Sequence, residues 1–211
     1  MFNIKEISQM VIAGDAAKVK ELAARALDAG VSPDEVINDG LIAGMNVVGA
    51  KFKAREIFIP EVLMAAQALY SGLDLVKPLL EDSQATNLGT CVIGTVKGDV
   101  HDIGKNLVIM MLEGAGFEVH DAGIDVTPEG FVELVRRLKP KVLGLSALLT
   151  TTMPVMKETI AALKEAGLRD GVKVIIGGAP VTQVFADAIG ADAYAPDATV
   201  GVDRVKGLLG I

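Results

Sequence analysis

The sequence predicts a helical amino-terminal domain followed by an α/β domain with a parallel, doubly wound sheet of five strands. Apolar residues recur at helical spacing throughout residues 1–83, which is typical of packed amphipathic helices. From residue 90 onward, short runs rich in Val, Ile and Leu alternate with helical patterns, as in βαβ units. The polar segment between them, residues 81–89, shows neither the helical nor the strand period of apolar residues. We therefore expect a helical domain over 1–83, a linker over 84–89 and an α/β domain over 90–211.

The amino-terminal domain is predicted to be a bundle of four helices. Asp15 is placed to cap the second helix, residues 32–35 form a capping box with proline at the first helical position, and Pro60 opens the fourth helix. The apolar stripes are Ile4, Ile7 and Val11; Val19, Leu22 and Ala26; Leu41, Met45, Val48 and Phe52; and Val62, Ala66, Leu69, Leu73 and Val76.

In the second domain, apolar runs predict the positions of four of the five strands. These runs are residues 91–96, 117–124, 142–149 and 172–176. Helical patterns surround 107–112, 131–138 and 156–163, and a last helix ends near Leu209. Nearly continuous apolar strands are buried on both faces, so the sheet should be parallel with helices on each side. Ligands of such sheets bind at the carboxyl ends of the strands.

Composition narrows the classes of function. The chain has 211 residues, 51% of them hydrophobic and 22% charged, as in a packed globular protein. A net charge of −7 without a basic stripe argues against nucleic-acid and anionic-membrane partners. We find neither a membrane-length apolar run nor a secretory signal pattern, so a cytoplasmic location is expected. The single cysteine, Cys91, is expected to be a buried structural thiol.

Three loops at predicted strand ends carry the residues suited to chemistry. Residues 98–104 supply an imidazole, His101, with Asp99 nearby; residues 146–152 supply a row of hydroxyls; and residues 177–180 supply a surface without side chains. All three should face one rim, which suits a large ligand, and His101 beside a carboxylate suggests a metal ligand. A hydrogen-bonded structural histidine is the alternative. No phosphate-binding glycine motif follows the strand, which disfavours nucleotide binding.

The spacing of these residues resembles the cobalamin-binding signature Asp-x-His-x-x-Gly, Ser-x-Leu, Gly-Gly. The first motif occupies 99–104, the second follows after 41 residues at 146–148, and the third after a further 28 residues at 177–178. In the helical half, residues 48–52 and 58–62 look like the cap module of cobalamin-dependent methionine synthase. The same module occurs in the corrinoid proteins of methylamine, methanol and methoxyaromatic methyltransferase systems. The resemblance covers nearly the whole chain and implies a flavodoxin or Rossmann-like α/β domain.

The resemblance implies that His101 is the lower axial ligand of cobalt in a base-off/His-on corrinoid. Asp99 would then orient the ring and favour the imidazolium when cobalt(I) releases its lower ligand. Thr152 stands where the family often has a serine that completes the relay, which is a departure. Ser146 would bond the displaced benzimidazole, Thr150 would be a second polar contact, and Leu148 would pack along the tail slot. Further corrinoid contacts are implied for Asp102, Ile103, Gly104, Gly177 and Gly178.

The resemblance also implies that Phe52 and Ile59 cover the upper face of the corrinoid. Periodicity alone assigns Phe52 to the core of the helical bundle, and that alternative stays open. If the helical domain covers the cobalt, it must swing aside for partners, with residues 81–89 as the hinge. His120, the other histidine, is expected to end the second strand as a hydrogen-bonding residue rather than a ligand.

The implied function is that of a methyl carrier. A substrate:corrinoid methyltransferase would load a methyl group on cobalt(I), and a corrinoid:tetrahydrofolate or corrinoid:coenzyme M methyltransferase would remove it. A reductive activase is a further family partner. Methyl transfer would occur only with these enzymes, so the sequence leaves open whether the chain itself is an enzyme, and which methyl donor it serves.

Three alternatives compete with the methyl carrier. A cobalamin-responsive regulator usually carries a DNA-binding domain, for which this acidic chain has no room. The small subunit of an adenosylcobalamin mutase normally lacks the helical cap. A flavodoxin-like module without a corrinoid is the third.

Overall fold

The computed structural model describes residues 2–80 and 88–211, which form two compact units. The described residues up to Leu88 form the first unit together with Glu113–Gly116, and Gly89–Leu112 with Phe117–Ile211 form the second. Most of the predicted linker lies outside the described residues, as does most of the predicted hinge. The carbonyl oxygen of Gly89 accepts a hydrogen bond from the Glu118 amide at 3.2 Å. The domain bounds proposed from the sequence stay a prediction.

The first unit is helical, as predicted. Its elements are α1 (Lys5–Ala13), α2 (Ala16–Asp28), α3 (Pro33–Glu35), a π-helical segment (Val36–Ile42), α4 (Ala43–Lys53), α5 (Ile59–Val76) and a 3-10 turn (Lys77–Leu80). The third predicted helix therefore runs through three segments, with a π-helical stretch that the apolar period did not reveal. Residues of all four predicted stripes are buried between the helices, among them Ile7, Val19, Leu41 and Leu69.

The starts of these helices follow local hydrogen-bonding chemistry. The side chains of Asp15 and Ser32 each accept a hydrogen bond from the backbone N–H three residues later, at 2.9 and 3.2 Å, which confirms both predicted caps. Helix α5 begins at Ile59, so Pro60 occupies its second position rather than its first. Glu61 accepts a bond from the backbone N–H three residues earlier at 3.1 Å and closes this end.

The second unit is a five-stranded parallel sheet in the order β2-β1-β3-β4-β5, with helices between the strands. Its elements are β1 (Thr90–Val96), α6 (Ile103–Gly114), β2 (Glu118–Val126), α7 (Pro128–Leu138), β3 (Val142–Ser146), α8 (Met153–Glu165), β4 (Lys173–Gly177), α9 (Gln183–Ile189), β5 (Ala193–Ala195) and α10 (Ala198–Leu209). The predicted class, a parallel doubly wound sheet, is confirmed.

Three details of the sheet differ from the prediction. Strand β5 has three residues and no β-branched side chain, so it is too short to give a recognisable strand pattern. Strand β3 ends at Ser146, and the apolar residues after it belong to a loop. Strand β2 continues to Val126, so His120 lies within it rather than at its end, with Nε2 3.3 Å from Oε1 of Glu118.

The sheet core fixes what its carboxyl edge presents. In β1 every residue from Cys91 to Val96 is buried, and burial raises the pKa of the Cys91 thiol to about 12, as expected for a structural cysteine. Because the strands are parallel and in register, Thr95 on β1, Ser146 on β3 and Gly177 on β4 lie side by side at one edge. No helix within the described ranges is long and apolar enough to span a membrane.

Candidate functional site

The three predicted loops meet at the carboxyl edge of the sheet, because β1, β3 and β4 are neighbours. They are the loop of residues 97–102 after β1, the loop of 147–152 after β3, and the loop of 178–182 after β4. The Ala147 amide donates to the Gly177 carbonyl at 3.2 Å and joins the second loop to the end of β4, just before the third loop. Chain topology therefore assembles one site from segments far apart in sequence.

Asp99 lies at the centre of this site and is fully buried. Its Oδ1 accepts hydrogen bonds from the backbone N–H of His101 at 3.1 Å and lies 2.7 Å from Nδ1 of the same residue. Its Oδ2 accepts from the amides of Leu148 at 2.7 Å and Leu149 at 3.2 Å, and from the Thr152 hydroxyl at 2.8 Å. The carboxylate thus ties the first loop to the second.

These contacts decide the charge of Asp99. Burial by itself raises the pKa of the carboxyl, since it disfavours the ionised form. The hydrogen bonds from the His101 ring, the Leu148 amide, the Thr152 hydroxyl and the His101 amide outweigh burial and hold the pKa of Asp99 well below its ordinary value. Asp99 is therefore a carboxylate at neutral pH, with only lone pairs facing its five donors.

The charge of Asp99 in turn sets the tautomer of His101. A carboxylate cannot donate, so Nδ1 must carry the proton that lies between the ring and Oδ1. In the neutral ring the lone pair is then on Nε2. The His101 side chain is 46% exposed, and within the described part of the chain Nε2 has no hydrogen-bond partner. The site holds an imidazole with an available lone pair at the protein surface.

Two residues that the sequence did not single out hold the backbone of the first loop. The Thr95 hydroxyl donates to the His101 carbonyl oxygen at 2.9 Å. The Gly98 amide donates to Oδ1 of Asp125 at 2.7 Å. Thr95 had a detectable signal, since it is a hydroxyl inside a buried apolar strand. Asp125 had none, because its partner depends on β2 lying beside β1.

Lys105 is a third residue that sequence reasoning missed. It follows the Asp-x-His-x-x-Gly motif on α6 and is 3% exposed. Its Nζ donates to Oδ1 of Asp121 at 2.6 Å and to Oδ1 of Asn106 at 2.7 Å, so the buried ammonium is paired. A lysine in an otherwise apolar helical run was the available signal. The pair joins the first turn of α6 to β2.

Four large apolar side chains are exposed in the segments that hold His101 and Asp99. Val100 is 65% exposed and Ile103 is 76% exposed, on either side of the histidine in the first loop and α6. Leu148 and Leu149, whose amides bind Asp99, are 42% and 41% exposed in the second loop. Large exposed apolar side chains grouped around one imidazole indicate a ligand or partner that covers them.

The structure requires glycine at one position of the site, Gly178, but not at another, Gly104. Gly178 has φ +129°, and a Cβ there would overlap the carbonyl oxygen of Ala147, so the fold itself requires glycine. Gly104 lies in the first turn of α6, and a Cβ there would have no neighbouring atom within 4 Å. The protein without a ligand therefore does not require glycine at 104. The position is exposed, so space for a ligand is available there.

The other predicted contacts occupy the same edge or the helical unit. Ser146 and Gly177 are half-buried at the strand ends, and Thr150 is exposed in the second loop. Asp102 is exposed beside His101 and accepts a bond from the Asn106 amide group at 3.2 Å. In the helical unit Phe52 is half-buried and Ile59 is 42% exposed.

These residues fit a corrinoid. Within residues 2–80 and 88–211 no group of three or more His, Cys, Asp or Glu side chains is placed to hold a metal ion. A bare ion would need such a group, whereas the cobalt of a corrinoid already has four ring nitrogens, so a single imidazole is compatible with it. The apolar surface and the open space at Gly104 match a large planar macrocycle beside one imidazole.

Comparisons with known proteins agree with this fit. B12 binding domain families match residues 4–77 and 89–203. Dimethylamine corrinoid protein 1 of Methanosarcina acetivorans is 51% identical over 85% of this chain and 84% of its own length. Trimethylamine corrinoid protein of Methanosarcina barkeri is 50% identical over 91% and 89%. The methanol:cobalamin methyltransferase complex of M. barkeri contains a chain with a TM-score of 0.91 at 33% identity, covering 98% of this chain and 79% of that one.

The families together cover most of the chain, and identity near 50% extends over nearly the full length of the curated relatives. The site described above lies within the second matched range, 89–203. The chain therefore belongs to the B12-binding corrinoid proteins of methyltransferase systems, and its cofactor is cobalamin or a related corrinoid.

Proposed function

We propose that this protein carries methyl groups between two methyltransferases on a corrinoid held base-off, with His101 as the lower ligand of cobalt. The observation that supports this most strongly is the orientation of His101. Its Nδ1 faces the Asp99 carboxylate at 2.7 Å, and its Nε2 faces outward without a partner in the described chain. A metal-binding histidine has its second nitrogen held in this way.

When bound, the corrinoid supplies a cobalt centre that takes up a methyl group and gives it to an acceptor. His101 contributes a nitrogen whose lone pair is kept available by the tautomer that Asp99 imposes. Asp99 would hold the ring in this orientation through its bond to Nδ1, whether or not Nε2 is coordinated. Thr152 completes this relay by donating to Asp99 at 2.8 Å, although serine is more usual there.

The remaining rim residues are proposed to bind the body and tail of the corrinoid. Gly104 gives the macrocycle room beside α6, and Ile103 and Leu148 offer it apolar contact. The hydroxyls of Ser146 and Thr150 are suited to bond the displaced base, and Asp102 to accept from an amide of the macrocycle. Gly177 and Gly178 would line the slot for the tail.

Phe52 and Ile59 are proposed to shield the upper face of the corrinoid. An apolar cover would exclude water and oxidants from a reduced cobalt. Support comes from the helical unit itself, where Ile59, Phe58 and Leu63 leave a large apolar surface exposed near the start of α5. For Phe52, which is half-buried, packing within the bundle is the competing role.

The methyl donor is proposed to be a methylamine, delivered by a substrate-specific methyltransferase. This rests on relatives near 50% identity that are dimethylamine and trimethylamine corrinoid proteins, against 33% for the methanol system. Identities of 51% to the dimethylamine protein and 50% to the trimethylamine protein favour neither amine over the other as the methyl donor. The second methyltransferase would act on tetrahydrofolate or coenzyme M, and a reductive activase would restore oxidised cobalt.

A methyl-loading assay tests this function. Reconstituted protein, reduced to the cobalt(I) state, is mixed separately with dimethylamine, trimethylamine and methanol methyltransferases and their substrates, and methylation is followed by the visible spectrum. We expect loading with one of the amines and little with methanol. Methylation by none of the three enzymes, with a corrinoid bound, would contradict the proposed carrier role. The matched control is His101→Ala, which should bind the corrinoid more weakly.

A further inference from the structure

Asp125, at the carboxyl end of β2, has an unusual backbone conformation. Its φ is +54°, and among the described residues only Arg55 and Lys139 share a positive φ without being glycine. Side chains are rarely tolerated in this left-handed region, although Asp and Asn are tolerated better than most. Asp125 is exposed and belongs to no core cluster, so packing does not explain the conformation. A local interaction must offset its cost.

The interaction is a pair of hydrogen bonds to the loop that carries the site. Oδ1 of Asp125 accepts from the Gly98 amide at 2.7 Å, and the Asp125 amide donates to the Asp99 carbonyl oxygen at 3.1 Å. The two bonds bracket Gly98 and Asp99 and fix the backbone just before His101. Gly98 itself has φ +82°, so both partners adopt left-handed conformations where they meet.

Irregular pairing of β1 with β2 makes this contact possible. The register moves from Ile93 opposite Asp121 to Val96 opposite Val126, with irregularities on both sides of Gly94. Strand β2 therefore has two more residues than β1 over this stretch, and the extra length turns Asp125 out of the ladder. Bulges of this kind re-aim a side chain, often beside a functional site.

We propose that Asp125 is a positioning residue for the histidine ligand. It fixes the backbone of Gly98 and Asp99, so that the Asp99 carboxylate meets Nδ1 of His101 in the geometry that keeps Nε2 available. In the described chain Asp125 makes no hydrogen bond to the His101 ring, so it acts through the backbone of Gly98 and Asp99. The inference rests on the proposed function, because a position for His101 matters only if His101 is the ligand.

Three substitutions separate the side-chain bond from the backbone conformation. Asp125→Asn keeps an acceptor oxygen and tolerates positive φ. Asp125→Gly relieves the backbone but removes the acceptor, and Asp125→Ala removes the acceptor and strains the backbone. Lys139→Ala is the matched control, since it places alanine at another positive φ, +46°, at the end of α7. The denaturant unfolding transition of each variant is measured first, because a cooperative transition verifies that the variant folds.

Each variant is then tested as the apoprotein and with cobalamin. Hydrogen exchange of the Asp99 and His101 amides should accelerate in Asp125→Gly and Asp125→Ala but not in Asp125→Asn or Lys139→Ala. The Kd for hydroxocobalamin should rise about tenfold in the first two and stay near the wild-type value in the others. In Asp125→Gly and Asp125→Ala, the electron paramagnetic resonance spectrum of the cobalt(II) form should also change. A smaller fraction of the cobalt should show coupling to a histidine nitrogen than in the wild type.

The outcomes distinguish the two proposals. If wild-type protein lacks histidine nitrogen coupling, the proposed function fails whatever Asp125 does. If wild-type protein shows the coupling and Asp125→Gly has the same Kd, exchange rates and coupled fraction, the positioning role of Asp125 is overturned. Equal loss of affinity in Lys139→Ala and Asp125→Ala would also overturn it, because backbone strain alone would then account for the effect.

Discussion

Replacing Asp99 by Asn tests how the site controls its histidine. Five donors converge on the two carboxylate oxygens, three of them on Oδ2 from Leu148, Leu149 and Thr152. An asparagine has one acceptor oxygen, and we expect it to take the place of Oδ2, where it accepts from these three donors. Its NH₂ group must then face His101. Because that group donates, Nδ1 of the ring must accept, and the ring proton moves to Nε2. The variant should therefore occupy the wrong tautomer for metal binding.

The magnitude follows from the bonds that change. The NH₂ group faces the backbone N–H of His101, which leaves buried donors opposed at a cost of about 1–3 kcal/mol, and the remaining bonds lose the strength that the charge gives them. We expect the free energy of unfolding of the apoprotein to fall by about 2–4 kcal/mol. Affinity for cobalamin should fall about 10–100-fold, as for other residues that orient a metal-bound histidine.

Two measurements check this prediction. Denaturant unfolding of the apoprotein gives the stability change, with Asp170→Asn as the control because Asp170 is an exposed carboxylate outside the site. Two-dimensional NMR of ¹⁵N-histidine-labelled apoprotein reports which ring nitrogen carries the proton. We expect the proton on Nδ1 in the wild type and on Nε2 in the variant. An unchanged tautomer together with unchanged affinity would refute the reasoning.

Four further predictions follow from the same geometry. Gly178→Ala should destabilise the apoprotein by several kcal/mol in denaturant unfolding, since its Cβ would overlap the backbone of the second loop; wild-type stability would contradict this. Gly104→Ala should leave apoprotein stability within about 1 kcal/mol but weaken cobalamin binding in a titration, because the methyl group would occupy space that we propose the corrinoid uses. Thr152→Val should cost about 1–2 kcal/mol while Thr152→Ser stays near wild type, and equal losses would exclude a role for the hydroxyl. The folded pKa of Asp99 is depressed, so its contribution is complete above the unfolded value of about 4 and is lost below it. Wild-type stability relative to Asp99→Asn should therefore fall by up to about 1.4 kcal/mol per pH unit as the pH drops from about 4, whereas a constant difference would contradict the charge assigned to Asp99.

Much of the fold was predictable because local signals agreed with the tertiary structure. The caps at Asp15 and Ser32 depend on contacts three residues apart, and the buried strands have continuous apolar runs. Strand β5 and the π-helical segment had no such signal. The end of β3 was misplaced because the amides of Leu148 and Leu149 leave the ladder to bind Asp99, about fifty positions away in the sequence. A local pattern cannot reveal a partner at that distance.

The residues of the site likewise fall into those that the sequence could reveal and those that it could not. Asp99, His101 and Thr152 were found because their motif has a recognisable spacing, and the structure brings these three together. The roles proposed for them, and for the other rim residues, stay predictions. Asp125 was missed because its contact depends on β2 lying next to β1 and on an irregular register between the two strands. The lysine in an apolar helical run was a signal for Lys105, but its pairing with Asp121 depends on how α6 packs on β2. Such contacts appear only once the strand order is known.

The most direct test of the account is the electron paramagnetic resonance spectrum of the protein reconstituted with cobalamin and poised as cobalt(II). Two samples are compared, one with natural histidine and one with ¹⁵N-histidine, and His120→Gln serves as the control for the second histidine. If His101 coordinates cobalt, labelling must convert the nitrogen triplets to doublets, and His101→Ala must abolish the effect. Triplets that survive labelling would show that the corrinoid keeps its own base, which would contradict the His-on assignment.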